Sequence, residues 1–289
     1  MTLTCTLLAF VVALAAAVRS TWSPCGLSML STITPVSERA KGHRYGATCA
    51  WFVVGATVGG LSLGGLIAGL AVVVRTVGPG PVVVGTVALA GALVVLVSDT
   101  GLAGARVPVH FRQVNERWLD AYRPWVYGAG FGFQIGTGVA TYITTGAVYL
   151  MVVLGALTGD PLVALALGGA FGLVRGLAVL LTRRITTPSG LLLFHQRFTS
   201  LRPRADRAVL VALGITVVVL DLVLIASGGT VPVVVATVVV GVGTLVVRAV
   251  VRSTHPVGPV EPGRSSQGSV DSRQAGTPAQ DSERSVAVG

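Results

Sequence analysis

Residues 207–251 read RAVLVALGITVVVLDLVLIASGGTVPVVVATVVVGVGTLVVRAVV, two apolar runs joined by the short polar turn Ser227-Gly228-Gly229-Thr230. Each run has about the 20 residues that a helix needs to cross the hydrocarbon core of a bilayer. The Ser and Gly residues between the runs are typical of a turn that ends one helix before the next begins. This pattern predicts two membrane-spanning helices joined by a tight hairpin.

The composition of the whole chain agrees with this interpretation. Of its 289 residues, 52% are hydrophobic and 11% are charged, whereas about 25% of the residues in a soluble domain are charged. Glycine occurs 38 times, and it is frequent where membrane helices pack closely. We therefore expect an all-α, polytopic membrane bundle with about seven spans. The predicted spans are residues 3–34, 47–74, 81–103, 125–155, 161–182, 207–227 and 231–251.

Two parts of the chain differ from these spans. Residues 1–252 form the predicted transmembrane domain, and residues 253–289 are rich in Ser, Gly, Pro and Gln. Such a segment buries too little apolar surface to fold, so a disordered cytoplasmic tail is expected. An alternative for residues 1–18 is a secretory signal ending at Ala15-Ala16-Ala17, but no basic residue precedes that apolar run.

The positions of the basic residues predict the orientation. Fifteen of the eighteen Lys and Arg residues before residue 253 lie in alternate loops or just after the last span. By the positive-inside rule these segments are cytoplasmic, which predicts a plasma-membrane protein with its N-terminus outside and its C-terminus in the cytoplasm. The net charge of +10 then reflects topology, so we expect membrane lipid as a partner and no nucleic acid.

Spans 1–3 resemble spans 4–6. The small and hydroxyl-bearing residues 22–34 align with residues 133–145, which places Cys25 opposite Gly136. Two further matches follow in the same order, Leu61–Gly65 with Leu165–Gly169 and Val87–Leu89 with Val211–Leu213. Because three is odd, the second copy enters the membrane from the opposite side. We predict a 3+3 inverted repeat of residues 3–103 and 125–227 with residues 231–251 as an extra helix; the alternative is a chance likeness between glycine-rich helices.

The first span contains a predicted helix break at Ser23-Pro24-Cys25-Gly26. Pro24 lacks a backbone donor and Gly26 loosens the next turn, and the same role is predicted for Gly136 and Gly138 in span 4. A break at membrane depth must face protein or a water-filled cavity. Cys25, beside the freed backbone amides, is the main candidate for chemistry. The alternative is a buried structural cysteine at a proline kink.

The segment Ser23-Pro24-Cys25-Gly26-Leu27, followed by Pro35 and a glycine-rich span, resembles the first-helix motif of the DsbD/CcdA membrane thiol-disulfide carriers. The resemblance implies a 3+3 inverted repeat with one cysteine in each half, and electron transfer from thioredoxin-like proteins to extracytoplasmic partners. Gly136 occupies the position of the second cysteine, and no cysteine follows Cys49. We therefore predict a divergent carrier, an oxidoreductase-type protein at most, with Cys25 as its redox residue.

Cys49 is the weaker redox candidate. Cys25 lies about ten residues deeper along its span, on the order of 15 Å at 1.5 Å per residue. A disulfide requires Cα atoms within about 7 Å. Direct pairing of the two cysteines is therefore not expected.

The alternative function is a small-solute transporter or exporter in which Cys25 is only structural. Its polar cavity would contain Ser23, Gln134, Thr137, Thr141 and Asp221, although Ser and Thr hydroxyls also bond within their own helices. Arg175 is expected to reach the membrane surface, and an ion pair between Arg19 and Asp221 is conceivable. The sequence has no metal-ligand spacing, nucleotide-binding loop or Ser/His/Asp set. We expect neither cofactor nor metal.

Overall fold

The computed structural model describes residues 2–100, 123–138 and 145–228, in which every regular element is a helix. The α-helices are α1 (Thr2–Ser20), α2 (Pro24–Thr32), α3 (Pro35–Ala40), α4 (Tyr45–Val77), α5 (Pro81–Thr100), α6 (Pro124–Thr137), α7 (Ala147–Leu157), α8 (Pro161–Leu177) and α9 (Pro188–Ala226). A 3-10 turn, Ala178–Thr182, extends α8. The predicted seventh span, residues 231–251, and the tail, residues 253–289, lie outside the described residues.

Five of these helices are long and apolar enough to cross a membrane: α1, α4, α5, α9 and α8 with its 3-10 extension. Helix α7 is a shorter apolar helix. Large apolar side chains such as Leu66 and Leu222 are exposed on the outside of the bundle, which is consistent with contact with membrane lipid. The prediction of an all-helical, multi-pass membrane protein is confirmed at this level.

Four helices begin with the same local signal, a capping side chain followed by proline. The capping residues are Ser23, Thr34, Asp160 and Thr187. Each side-chain oxygen accepts a hydrogen bond from a backbone N–H of the first turn, and proline occupies the first helical position, where an N–H has no partner. The sequence itself therefore determines where α2, α3, α8 and α9 begin.

Helix α4 lies at the centre of the bundle, between α6 and α8. Its glycines allow the backbones to touch: a Cβ added at Gly55 would lie 2.1 Å from the carbonyl oxygen of Ala129 in α6, and one at Gly60 would lie 2.3 Å from that of Gly168 in α8. These distances exclude any side chain without backbone movement. The glycines thus form two seams along α4, as in membrane helices that pack through small residues.

Helices are interrupted near both sets of predicted break residues. Helix α1 ends at Ser20 and α2 begins at Pro24. Of the two glycines predicted for the second break, α6 continues through Gly136 and ends at Thr137, just before Gly138. A Cβ at Gly136 would lie 2.0 Å from the carbonyl oxygen of Ala56. Gly136 is therefore a packing residue of the α4–α6 seam, whereas Gly138, with φ 65°, ends the helix.

Candidate functional site

The first break buries the start of α2 inside the bundle. Ser23 is the N-cap and accepts a hydrogen bond from the N–H of Gly26 at 3.1 Å. Cys25 occupies the first turn of α2 and is buried. Gly26 faces the carbonyl oxygen of Thr21, which a Cβ would approach to 2.3 Å. The predicted residues of this break therefore do lie together, in a closely packed turn.

Arg175 of α8 lies near both breaks. Its side chain is buried, with 4% of the residue exposed, and its guanidinium carbon lies 5.5 Å from the ring centroid of Phe171. One guanidinium nitrogen would be 3.6 Å from a Cβ at Gly138, and the group is within electrostatic range of Cys25. The expectation that Arg175 reaches the membrane surface is wrong, because its guanidinium group is held in the interior beside the two breaks.

The far end of the second break is held by Asp99 of α5. Its carboxylate accepts hydrogen bonds from the Thr145 hydroxyl at 2.5 Å and from the Gly146 N–H at 2.8 Å. A carboxylate at this position satisfies a free N–H and interacts favourably with the positive end of α7. Asp99 therefore caps α7 from a neighbouring helix.

The charged residues in the long helices pair differently from expectation. Arg19 near the end of α1 forms an ion pair with Asp206 of α9. Asp221 lies fifteen residues further along α9, about 22 Å away at 1.5 Å per residue, which is why an Arg19–Asp221 pair does not form. Asp221 is 2% exposed, and neither carboxylate oxygen has a hydrogen-bond partner among the described residues.

The structure does not bring the predicted polar cavity together. The Thr137 hydroxyl donates to the backbone oxygen of Gln134 in its own helix at 2.8 Å. Gln134 lines a groove on the outside of the bundle, and Thr141 lies outside the described residues. Ser23 and Asp221 are on separate elements with no contact between them in the described structure. These residues are therefore not one site in the described parts of the chain.

The three cysteines, all within the described ranges, are buried. Cys49 packs with Met29, Leu30 and Phe52 in a hydrophobic cluster between α2, α4 and α6. Cys25 lies at the start of α2, and Cys5 is in α1. No disulfide joins any two of them.

Sequence analysis missed a buried carboxylate cluster near the start of α4. Glu38 of α3 is 1% exposed. Its carboxylate accepts hydrogen bonds from the Tyr127 hydroxyl, at 2.7 Å to each oxygen, and from the Thr48 hydroxyl at 2.5 Å. The imidazole Nδ1 of His43 lies 3.9 Å from the same carboxylate. These contacts join α3, α4 and α6 at one end of the bundle.

One signal for this cluster was present in the sequence. Glu38 is the only acidic residue in the segment 35–46, which also contains Arg39, Lys41 and Arg44. Cytoplasmic loops favour positive charge. A single acid among several bases in such a loop therefore indicates that the carboxylate makes a specific contact. Its partners Tyr127 and Thr48 were not predictable, because they are distant in sequence and carry no motif.

Comparison with known proteins gives several relatives named methylamine utilization protein MauF. The protein from Paracoccus denitrificans is 30% identical over 223 residues, which cover 73% of this chain and 76% of the relative. The Paracoccus versutus protein is 32% identical over 216 residues, 70% of this chain and 74% of the relative. The Methylorubrum extorquens protein is 31% identical over 159 residues, 53% of this chain and 54% of the relative. No protein-family model and no solved structure matches.

These relatives overturn the resemblance to the DsbD/CcdA carriers. That resemblance depended on the segment Ser23 to Leu27, Pro35 and a glycine-rich span, whereas the similarity to the relatives extends over most of the chain. The inferred thiol-disulfide carrier function is therefore wrong, and the redox roles of Cys25 and Cys49 depended on it. The relatives support neither the solute transporter alternative nor a thioredoxin-like partner.

Proposed function

This chain belongs to the MauF family of methylamine utilization proteins, and we propose that it serves methylamine utilization as a multi-pass component of the plasma membrane. The observation that carries this proposal is the 30% identity to the Paracoccus denitrificans protein over about three quarters of both chains. The apolar helices α1, α4, α5, α8 and α9 support a membrane location.

The proposed architecture is a 3+3 inverted repeat with a seventh helix at residues 231–251. In this arrangement α1 and α2 correspond to α6 and α7, α4 to α8, and α5 to α9, so that α6 and α7 together make one broken span. One pair of contacts is related by this exchange, since α4 packs on α6 as α8 packs on α1. In addition, α5 packs on the second half of the broken span α6–α7, and α9 packs on the first half of the span α1–α2. Related helices also pack on each other, α4 with α8 and α5 with α9.

The crossing of α4 and α8 supports the same repeat. The matching segments Leu61–Gly65 and Leu165–Gly169 lie at the contact between the two helices, with Gly60 against Gly168 and Gly64 against Ala164. A two-fold axis in the membrane plane between two related helices requires such a crossing. The basic loops then place the N-terminus outside and the C-terminus in the cytoplasm.

The proposed functional centre is the region around Arg175, between the two helix breaks. Ionisable residues inside membrane segments are expensive to bury and usually serve function. Arg175 lies beside Gly138, where the last carbonyls of α6 form the negative end of a helix dipole. This dipole therefore stabilises the positive charge of Arg175. Ser23 caps the start of α2 and Gly138 follows the end of α6, so these two residues fix the helix ends near the guanidinium group.

The test is complementation of a Paracoccus denitrificans strain that lacks its own MauF. Expression of this chain should restore growth on methylamine, and growth on a carbon source that does not involve methylamine should be equal with and without it. Arg175→Gln should fail to restore growth while reaching the membrane in normal amount. The proposal is wrong if the wild-type chain accumulates in the membrane without restoring growth.

A further inference from the structure

Asp99 and Asp221 both lie within membrane helices, but they differ in what surrounds their carboxyl groups. Asp99 of α5 accepts hydrogen bonds from the Thr145 hydroxyl and the Gly146 N–H. Asp221 of α9 is more deeply buried, with 2% of the residue exposed, yet neither of its carboxyl oxygens has a hydrogen-bond partner among the described residues. The described structure therefore supplies donors to the first carboxyl group and none to the second.

The side chains around Asp221 are apolar. Val217 and Leu224 are one helical turn away on the same face of α9, and both are buried. They belong to the hydrophobic cluster in which α9 packs against α1 and α5. In such surroundings an unpaired carboxylate costs far more free energy than a neutral carboxylic acid.

The charged groups of the neighbouring helices do not pair with Asp221. In α1 the charged residue is Arg19, which pairs with Asp206 of α9, and the other titratable group is the buried thiol of Cys5. In α5 the charged residue is Asp99, which offers no positive charge. The other charged residues of α9 end at position 207, about 21 Å from Asp221 along the helix at 1.5 Å per residue.

We propose that Asp221 is a proton-binding site of the membrane domain, a carboxylic acid in the packed bundle that exchanges its proton with water at the near end of α9. A proton needs no further side chain, because it converts the carboxylate into a neutral group that apolar surroundings tolerate. Asp221 lies five residues before Ala226, the last residue of α9, which is about 8 Å along the axis. Release of the proton leaves an unpaired charge between α9 and its neighbours, so ionisation favours their separation at this end.

Carbodiimide labelling of the full chain in native membranes tests the proposal. Dicyclohexylcarbodiimide is apolar and reacts with protonated carboxyl groups, so mass spectrometry should find a stable adduct on Asp221 that decreases as the pH is raised. Asp221→Asn should lose this adduct completely. Asp99 is the matched comparison, because its carboxylate accepts two hydrogen bonds and should stay unmodified.

Three results of this labelling overturn the proposal. The first is the absence of an adduct on Asp221 in membranes whose other proteins are labelled. The second is equal labelling of Asp99 and Asp221, because the reaction would then not depend on the missing donors. The third is protection of Asp221 by sodium chloride at constant pH, which would indicate a bound cation in place of the proton.

The pH dependence of stability gives a second readout. Asn has the size and the neutral charge of the protonated acid, so Asp221→Asn is the reference. Above about pH 4 the unfolded chain releases the Asp221 proton, whereas the packed bundle retains it. The wild type should therefore lose thermal stability relative to Asp221→Asn as the pH rises from about 5 to about 8, measured in detergent.

Asp160→Asn is the control for this measurement. The Asp160 carboxylate accepts hydrogen bonds from the backbone at the start of α8, so the wild type should not lose stability relative to this variant as the pH rises. A difference between the wild type and Asp221→Asn that stays constant over the same pH range overturns the proposal. If Asp221→Asn does not accumulate, the adduct mapped on the wild-type chain still decides.

Discussion

At the break between α1 and α2 the next helix is capped by a residue near in sequence, whereas at the break between α6 and α7 the next helix is capped by a side chain from another helix. In the first, Ser23 caps its own helix and Gly26 packs on Thr21. In the second, Asp99 of α5 caps α7, and Gly138 fits against Phe171 of α8. The cap of α2 is thus encoded locally, although Trp22 of the same break also stacks on Phe198 of α9, and the cap of α7 depends on tertiary packing. Local signals therefore indicated the first break, whereas both Gly136 and Gly138 were predicted to interrupt the second span and α6 continues through Gly136.

The largest loss of stability is expected for Asp99→Ala, which removes the cap that α5 supplies to α7. The substitution leaves the Gly146 N–H and the Thr145 hydroxyl without their acceptor in a buried region. Hydrogen bonds to a charged group contribute about 1.5–3 kcal/mol each, so we expect a loss of roughly 3 kcal/mol or more in the free energy of unfolding. Thermal unfolding in detergent, followed by size-exclusion chromatography, measures it. Asp99→Asn, which keeps one acceptor oxygen, should lose less; equal stability of Asp99→Ala and the wild type would contradict a cap supplied by α5.

A smaller effect is expected for Gly138→Ala. A non-glycine residue at φ 65° costs about 1–2 kcal/mol, and the added Cβ would lie 2.8 Å from the Phe171 ring. The comparison variant is Gly78→Ala, which has φ 61° and ψ 48° in the left-handed helical region and nothing within 4 Å of its Cβ. Gly138 has ψ −32°, so the difference in thermal stability between the two variants combines the contact with α8 and the backbone conformation at Gly138. If both lose the same stability, the second break is no more dependent on packing than an open turn.

Ser23→Ala should have a milder effect, because the first break loses one local hydrogen bond. Loss of a helix N-cap typically costs about 1 kcal/mol, measured by the same thermal assay. Ser23→Asp keeps an acceptor and should retain more of the stability. Ser62→Ala serves as the control, since that hydroxyl bonds only to the backbone oxygen of Val58. A loss for Ser23→Ala larger than for Asp99→Ala would reverse the comparison.

The smallest effect is expected for Cys25→Ser. The residue is buried at the start of α2, and no second cysteine is bonded to it, so the change replaces one small polar group with another. Growth of the complemented Paracoccus strain on methylamine should equal that with the wild-type chain. Complete loss of growth with normal amounts of protein in the membrane would contradict this prediction, and it would show that the Cys25 thiol itself is needed for function.

Local signals in the sequence predicted a large part of the fold. Apolar runs identified the long helices, and the break at Pro24 followed from proline and glycine chemistry. For the second break both Gly136 and Gly138 were predicted, because glycine occurs at helix ends and in close packing alike and the sequence alone does not distinguish the two; α6 ends before Gly138. Only the contact with Ala56 assigns Gly136 to packing.

The candidate site was less predictable. Arg175 was recognised as an unusual charge, but its position beside the two breaks depends on how α8 packs against its neighbours. Glu38 was overlooked because its partners come from α4 and α6. The family was misjudged because the resemblance depended on a short motif around Cys25 with Pro35 and a glycine-rich span, whereas the similarity to the relatives is spread over 223 residues.

The length of α4 has a consequence for the membrane around the protein. Its 33 residues extend about 50 Å at 1.5 Å per residue, whereas the hydrocarbon core is about 30 Å thick. A helix of this length must tilt or project beyond the lipid tails. Lipids with longer acyl chains would lessen this hydrophobic mismatch, so the bundle is suited to a thick bilayer.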